Sequence, residues 1–381
     1  MGMNIAEIRK KKLKTQRVVS LSISLCYAMA VGITGAATML DRELPLVGRL
    51  DSMLQIFPVM SITLIFLFIN NYLHVCCHES GHMIFGLLTG YRFQSIRFGS
   101  FMIFKSDQGL KLARYSLSGT AGQCIMLPPA VDDEHLPVVM YNLGGIIINL
   151  LLSLLGFILY LLTKNNPLAA SFFLISVITG IYLAILNGLP LSSLGNDGYN
   201  TLVLSRDIKS RRAFRISLLT TGALAENRNL TDLPEDWFRW EYSGSESALS
   251  ISMGVTRIYW LLYQDRISEA GELAQLLLDK AENLVAIHET QCWCEKIYCA
   301  TMLGDPETAR ETMKQQEKNL KAMTTTPSIQ RTLVSYYHYA DKDEEKAAKA
   351  EAAFEKLAEK YPYRSELEAE RTLMKREPDH E

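Results

Sequence analysis

The stretch His78-Glu79-Ser80-Gly81-His82 packs two imidazoles and a carboxylate into five positions. On a helix, four residues advance about 400°, so His78 and His82 sit about 40° apart and one turn along. Two imidazoles on one stripe can share a metal ion, and zinc is the ion this pattern calls for. Glu79 lies about 100° round from His78, placed to take a proton from a water that the metal activates. His74 extends the stripe but is excluded as a third ligand. It stands about 12 Å along the axis from His82, whereas zinc–nitrogen bonds are about 2.1 Å. A pore-lining, capping or ligand-supporting role is expected for it instead. Cys76 and Cys77, which flank the pattern, read as small packing residues.

A hydrolytic zinc needs a third protein ligand and an open position. Residues 187–198 read Asn-Gly-Leu-Pro-Leu-Ser-Ser-Leu-Gly-Asn-Asp-Gly, and Asp197 is the only acid between Glu134 and Asp207. Two glycines and a proline break a helix at membrane depth, which is tolerated where backbone is buried or lines a cavity. Asp197 is therefore assigned as the third ligand; the competing reading is a cap or turn aspartate beside Gly198.

Membrane depth follows from the elements that must carry these residues. Four windows lack Asp, Glu, Lys and Arg: Val18–Leu40, Ser52–His78, His135–Thr163 and Asn165–Asn196. The shortest is 23 residues, and about 20 apolar residues cross a hydrocarbon core of about 30 Å. Residues 1–198 hold 14 Lys/Arg and 10 Asp/Glu, against 25 and 31 in the remaining 183. The first half is too apolar for a soluble domain of its size, and the second has an ordinary polar composition. Ionisable groups within a span are costly and usually functional, which sharpens the His-Glu-x-x-His signal. The competing reading is a polar kink hydrogen-bonded within a helix bundle.

Basic residues give the orientation. Arg9, Lys10, Lys11, Lys12, Lys14 and Arg17 precede the first run; Arg92, Arg97, Lys105, Lys111 and Arg114 lie between the second and third; Arg206, Lys209, Arg211, Arg212 and Arg215 follow the fourth. The 41–51 loop carries only Arg42 and Arg49. A multi-pass protein of the cell membrane is expected, with both termini cytoplasmic. Ala28-Met29-Ala30 imitates a signal-peptide cleavage site, but the apolar stretch around it exceeds the usual core of about 7–15 residues, so retention is expected. Seven cysteines, all but Cys26 in membrane or predicted cytoplasmic segments, point to reduced thiols. The net charge of −2, with no basic stripe, argues against a nucleic-acid partner.

An intramembrane His-Glu-x-x-His followed by Asn-x-x-Pro and Asp-Gly at the end of a later span resembles the site-2 protease family, zinc intramembrane proteases that cut membrane-spanning or membrane-associated proteins and peptides. The likeness covers roughly residues 52–200. It rests on His78, Glu79, His82, Asn187, Pro190, Asp197 and Gly198, with Gly145 and Asn149 resembling the small-residue motif of the intervening span. It implies zinc on His78, His82 and Asp197, Glu79 as acid/base, and Asn187 positioning substrate or steadying the oxyanion. The stretch from Pro190 to Asp197 is longer than the family's usual spacing, and no segment suggests the PDZ or CBS domain that many relatives carry.

Between runs two and three, partial alternation in Arg92–Phe98 and Ser100–Phe104, with an Asp107-Gln108-Gly109 turn, suggests a membrane-associated β-hairpin. The apolar stretch Tyr115–Val131 is expected to lead back to the membrane. A strand edge beside the metal could hold an unwound substrate extended; the competing reading is a structural loop dipping into the membrane. From Ala248 onward the pattern is helical, and Ala270, Ala309 and Ala347 recur 39 and 38 residues apart after similar turns. This resembles degenerate tetratricopeptide pairs, whose concave face takes peptides or other partners.

The expected organisation is thus an α-helical multi-pass membrane protein, of about four membrane helices plus a hairpin, followed by an all-α helical-repeat soluble domain. Its parts are a metalloprotease domain (1–200), a linker or amphipathic segment (201–245) and a tetratricopeptide-like domain (246–381). The expected activity is zinc-dependent cleavage of a membrane protein or peptide. The competing class is a non-catalytic membrane scaffold that works through its helical repeats.

Overall fold

The structure is a computed structural model that describes residues 4–39, 56–106, 108–114, 120–193 and 195–379. The 41–51 loop with Arg42 and Arg49, Asp107 of the expected turn, and residues 115–119 lie outside the described residues.

Four helices are long and apolar enough to cross a membrane: α1 (Ile5–Met39), α2 (Ile56–Leu88), α3 (Val138–Thr163) and α4 (Pro167–Gly188). Their side chains are sorted inside out. Leu21, Leu25, Leu64, Phe68, Leu154 and Leu162 stand exposed on the outer surface, while Asn70, His74, His78, Asn142, Asn149, Ser153, Ser176 and Thr179 are buried between helices. Water would penalise that outer belt, whereas hydrocarbon accepts it and drives polar groups inward. α3 packs on both α2 and α4, and α1 lies against α4 and α2. The Tyr27 hydroxyl of α1 bonds to Thr179 Oγ1 at 3.0 Å, its ring stacks on Tyr182 at 4.0 Å, and Asn71 donates to the hydroxyl at 2.8 Å. α1 is thus an integral helix of the bundle.

The region between α2 and α3 contains the expected hairpin and extends it. It is an open four-stranded antiparallel sheet in the order β3-β2-β1-β4, formed by β1 (Arg92–Phe98), β2 (Phe101–Ser106), β3 (Gly109–Arg114) and β4 (Gly122–Leu127). β2 and β3 close the hairpin, with Ser106 opposite Gly109, while β1 pairs back to β2 with Phe98 opposite Phe101. β4, within the stretch expected to lead back to the membrane, pairs with β1 from Phe98–Gly122 to Arg92–Leu127. Its Cys124-Ile125-Met126 run is buried throughout, so it lacks the period-two alternation that marks a half-exposed strand.

α5 (Asp197–Leu204) and α6 (Ile208–Ala225) follow α4, so the expected boundary at residue 200 falls inside a helix. α6 is also no loose linker: it packs on β2 and β4 on one side and on α7 on the other. The polar half continues as helices α7 (Ala248–Tyr263), α8 (Ile267–Lys280), α9 (Ala286–Met302), α10 (Pro306–Lys321), α11 (Pro327–Ser335), α12 (Glu344–Ala358) and α13 (Arg364–Met374). Asp265, Gly304 and Lys342, at the turns into α8, α10 and α12, have φ of 58°, 75° and 56°. Left-handed backbone there ends one helix and reverses the chain. Ala270, Ala309 and Ala347, just beyond, are buried where the paired helices meet.

Candidate metal centre

α2 carries Asn70, His74, His78 and His82 at four-residue spacing, and all four are buried. Their stripe faces α3 and α4 because those helices offer little bulk opposite it. A Cβ on Gly145 would lie 2.5 Å from the His78 ring, and one on Gly180 would lie 2.5 Å from His74. Gly81 and Gly144 bring the backbones of α2 and α3 together, since a Cβ on either would meet the other's carbonyl oxygen at 2.5–2.6 Å.

His78 Nε2 and His82 Nε2 are 3.1 Å apart, and Asp197 Oδ2 lies 3.0 Å from the first and 3.4 Å from the second. A divalent ion held tetrahedrally at about 2.0–2.2 Å sets its ligand atoms about 3.3–3.6 Å apart, so a slight opening of the two shorter edges would admit one. The hydrogen bonding agrees. Asp197 Oδ2 is buried without a hydrogen-bond partner among the described residues, although both imidazole nitrogens lie within reach of it. The Asp197 oxygen and the two Nε2 atoms converge on one point, with the two Nε2 atoms within hydrogen-bond distance of each other. His78, His82 and Asp197 could therefore hold a metal ion.

The surrounding hydrogen bonds set the tautomers of the two imidazoles differently. His82 Nδ1 donates to the carbonyl of Tyr141 at 2.7 Å, leaving the Nε2 lone pair for the metal. Asn149 Nδ2 on α3 donates to His78 Nδ1 at 3.1 Å, which puts the His78 proton on Nε2, and Asn149 Oδ1 lies 3.3 Å from His74 Nδ1. A metal on His78 Nε2 would need this amide turned over, so that Oδ1 accepts from Nδ1. His74 Nε2 is bonded to Ser176 Oγ of α4 at 3.1 Å. His74 is thus no ligand, as its distance along α2 requires; it braces Asn149, and Asn149 braces His78.

Asp197 is the first residue of α5, and Asn196 fixes it there. Asn196 Oδ1 accepts from Leu191 N and Tyr199 N at 3.1 and 3.2 Å, while its Nδ2 donates to Leu186 O and Leu189 O at 2.8 and 2.5 Å. One side chain caps the new helix and satisfies the broken end of the old one. Gly198 lies against the carbonyls of Gly188 and Asn187, where a Cβ would sit 2.0 Å from the nearer oxygen. Asn187, the remaining residue drawn from the family likeness, donates its Nδ2 to Leu183 O of its own helix at 3.0 Å.

Comparison with protein-family models, curated proteins and solved structures finds no match. The site accordingly rests on its own geometry.

Glu79 is buried, and β4 begins beside it: a Cβ on Gly122 would fall 2.5 Å from Glu79 Oε1. Arg97 of β1, also buried, donates to Gly99 O at 2.6 Å, to Thr120 Oγ1 and to Gly122 O at 3.2 Å, pinning that end of β4. Tyr141 reaches the same strand, its hydroxyl donating to Cys124 O at 2.8 Å. Tyr141, Asn196 and Arg97 are the supporting residues that sequence reasoning missed. Only Asn196 left a signal, as an Asn one position before an Asp-Gly helix start.

Proposed function

We propose that the protein is a zinc-dependent intramembrane endopeptidase acting on membrane-spanning or membrane-associated proteins or peptides. The observation that carries this reading is the convergence of two imidazole nitrogens and one carboxylate oxygen, from two separate elements, beside a buried glutamate within an apolar bundle. Nitrogen and oxygen donors suit zinc, and three protein ligands with no fourth His, Cys, Asp or Glu among the described residues suit an open, hydrolytic site. A structural zinc in a membrane scaffold would be closed by a fourth. When bound, zinc supplies Lewis acidity toward the scissile carbonyl and toward water.

The chain's own residues supply the rest. Glu79 takes one proton from the attacking water as its oxygen joins the carbonyl carbon, and returns it to the amide nitrogen as the C–N bond breaks. β4 is the edge strand of the described sheet beside Glu79. It would suit an extended peptide better than a helical one, whose amides are already bonded, once the bonds that Tyr141 and Arg97 make to the Cys124 and Gly122 carbonyls give way. Asn187, in the role the family likeness implies, would exchange its bond to Leu183 O for one to substrate. The α8–α9 turn meets the basic end of α1, which agrees with both termini lying on the cytoplasmic side of the cell membrane. We read the three helical hairpins as tetratricopeptide-like repeats that hold a cytoplasmic peptide or protein partner.

The test is Glu79→Gln, which keeps the shape and removes the base. Processing of a co-expressed membrane peptide should fall by about 10²–10⁴-fold with zinc binding retained. Unchanged processing overturns the role of Glu79, and a purified protein that takes up no zinc overturns the whole mechanism.

A further inference from the structure

Asp197 is delivered to the metal centre by a segment that is non-helical over its described residues 189–193 and 195–196, whose backbone groups need partners at membrane depth. Asn196 serves two of them, Leu191 N and Leu189 O. Ser193 N is served from elsewhere: it donates to Gln16 Oε1 at 2.8 Å, and Gln16 Nε2 donates to Ser192 Oγ at 3.1 Å. Both ends of one amide, on the first helix of the chain, hold two consecutive residues of the ligand-bearing segment.

Gln16 shares a face of α1 with Arg9 and Lys12, at i, i+3 and i+7. That face docks on the soluble half. Arg9, nine-tenths buried, donates to Leu278 O near the end of α8 at 2.7 Å and lies 3.5 Å from the Glu289 carboxylate in the first turn of α9. Lys12 Nζ donates to Asn283 Oδ1, between those helices, at 2.6 Å. Farther along, Tyr27 fixes α1 to α2 and α4. A helix tied at both ends fixes the height and rotation of Gln16 between them.

We propose that Gln16 is a positioning residue for the metal ligand Asp197, and that Arg9 sets its register by clamping α1 to the α8–α9 turn. The inference rests on the metal-site part of the proposed function and not on the protease part. It also gives the soluble half a physical route to the metal centre: whatever shifts the α8–α9 turn shifts α1, and with it the segment that presents Asp197.

The experiment is a zinc titration of the detergent-solubilised full-length protein in competition with a chromogenic chelator, paired with the visible spectrum of Co²⁺ at the same site. Gln16→Leu is expected to weaken zinc by about 10–100-fold, the usual cost of losing a residue that orients a ligand, and to alter the Co²⁺ bands. Gln16→Glu should restore both, because one carboxylate oxygen accepts from Ser193 N and the other from the Ser192 hydroxyl. Ser192→Ala, which removes a single bond, should fall between wild type and Gln16→Leu and serves if the leucine variant does not fold. Arg9→Leu should weaken zinc in the same direction, and the Arg9→Leu/Gln16→Leu pair should lose less than the two single losses combined. Wild-type affinity and spectrum in Gln16→Leu, or in Ser192→Ala if that is the variant available, overturn the positioning role. Wild-type affinity in Arg9→Leu overturns the clamp. If wild type binds no zinc while His78→Ala behaves identically, the metal site itself fails and the inference falls with it.

Discussion

Arg331 in the polar half and Asp197 in the apolar half are both charged, both largely enclosed, and both face groups drawn from other elements. Their surroundings differ. Arg331 donates to Glu295 at 2.7 Å, Glu370 at 2.8 Å and Thr332 Oγ1 at 2.9 Å, and stacks 4.0 Å above the Tyr298 ring. Each guanidinium nitrogen has a protein partner. Around Asp197 the neighbours are two imidazoles whose Nε2 atoms face it and each other, and its inner oxygen bonds to neither. One cluster is closed by cation and anions within the chain; the other is a group of two imidazoles and a carboxylate that could hold a cation from outside. That contrast, more than burial itself, separates a self-contained polar cluster from one with room for a ligand.

The sharpest way to break the comparison is to exchange each cluster for hydrocarbon. Arg331→Met alone strands two buried carboxylates and should destabilise the soluble half by about 3–5 kcal/mol, while replacing Arg331, Glu295 and Glu370 together by apolar residues should cost far less. All four tryptophans, Trp237, Trp240, Trp260 and Trp293, lie in that half, so their fluorescence in a urea titration follows it selectively. If the triple exchange costs as much as Arg331→Met, the triad is not the self-contained cluster described here.

A smaller effect sharpens the membrane side. Asn149 bridges His78 and His74 without touching the metal position. Asn149→Ala should leave the ligand set intact yet weaken zinc by about 10–100-fold, measured by chelator competition, because His78 loses the group that holds its ring orientation. Undiminished affinity would mean that the amide only fills space between α2 and α3.

Which parts were legible in the sequence follows the same division between local and long-range contacts. The charge-free windows foretold four long apolar helices because length and apolarity alone decide what can cross hydrocarbon. His78 and His82 were legible because four-residue spacing on one helix fixes their proximity, and Asp197 because it is the lone acid of its stretch at a helix break. β4 was not, since a strand buried on both faces has no alternation. Neither were Tyr141 and Arg97, which act through contacts between elements that no local pattern encodes. The left-handed turns at Asp265 and Lys342 sit at the junctions expected between helices, yet the residues themselves are not the glycines such turns favour.

The smallest predicted effect tests how completely the soluble cluster is closed. Two carboxylates share one guanidinium, and Glu295 Oε1 has no hydrogen-bond partner among the described residues. Burial, opposed by Arg331 and reinforced by Glu370, pushes the Glu295 carboxyl up from its ordinary 4.5 to about 7. A folded-state value above the unfolded one means that the native state holds the proton more tightly. The associated stability is therefore fully present below about pH 4.5 and lost as pH rises through 7. Between pH 6 and 8 the soluble half should weaken by about 1 kcal/mol on account of Glu295. Glu366, raised to about 7 chiefly by desolvation, adds a share of the same sign. Glu295→Gln keeps a hydrogen-bonding group beside Arg331 but removes the titration, so its urea midpoint, followed by tryptophan fluorescence, should fall less between those pH values than that of wild type. An equal fall in both proteins would show that Glu295 stays ionised and that one guanidinium holds both buried charges unaided.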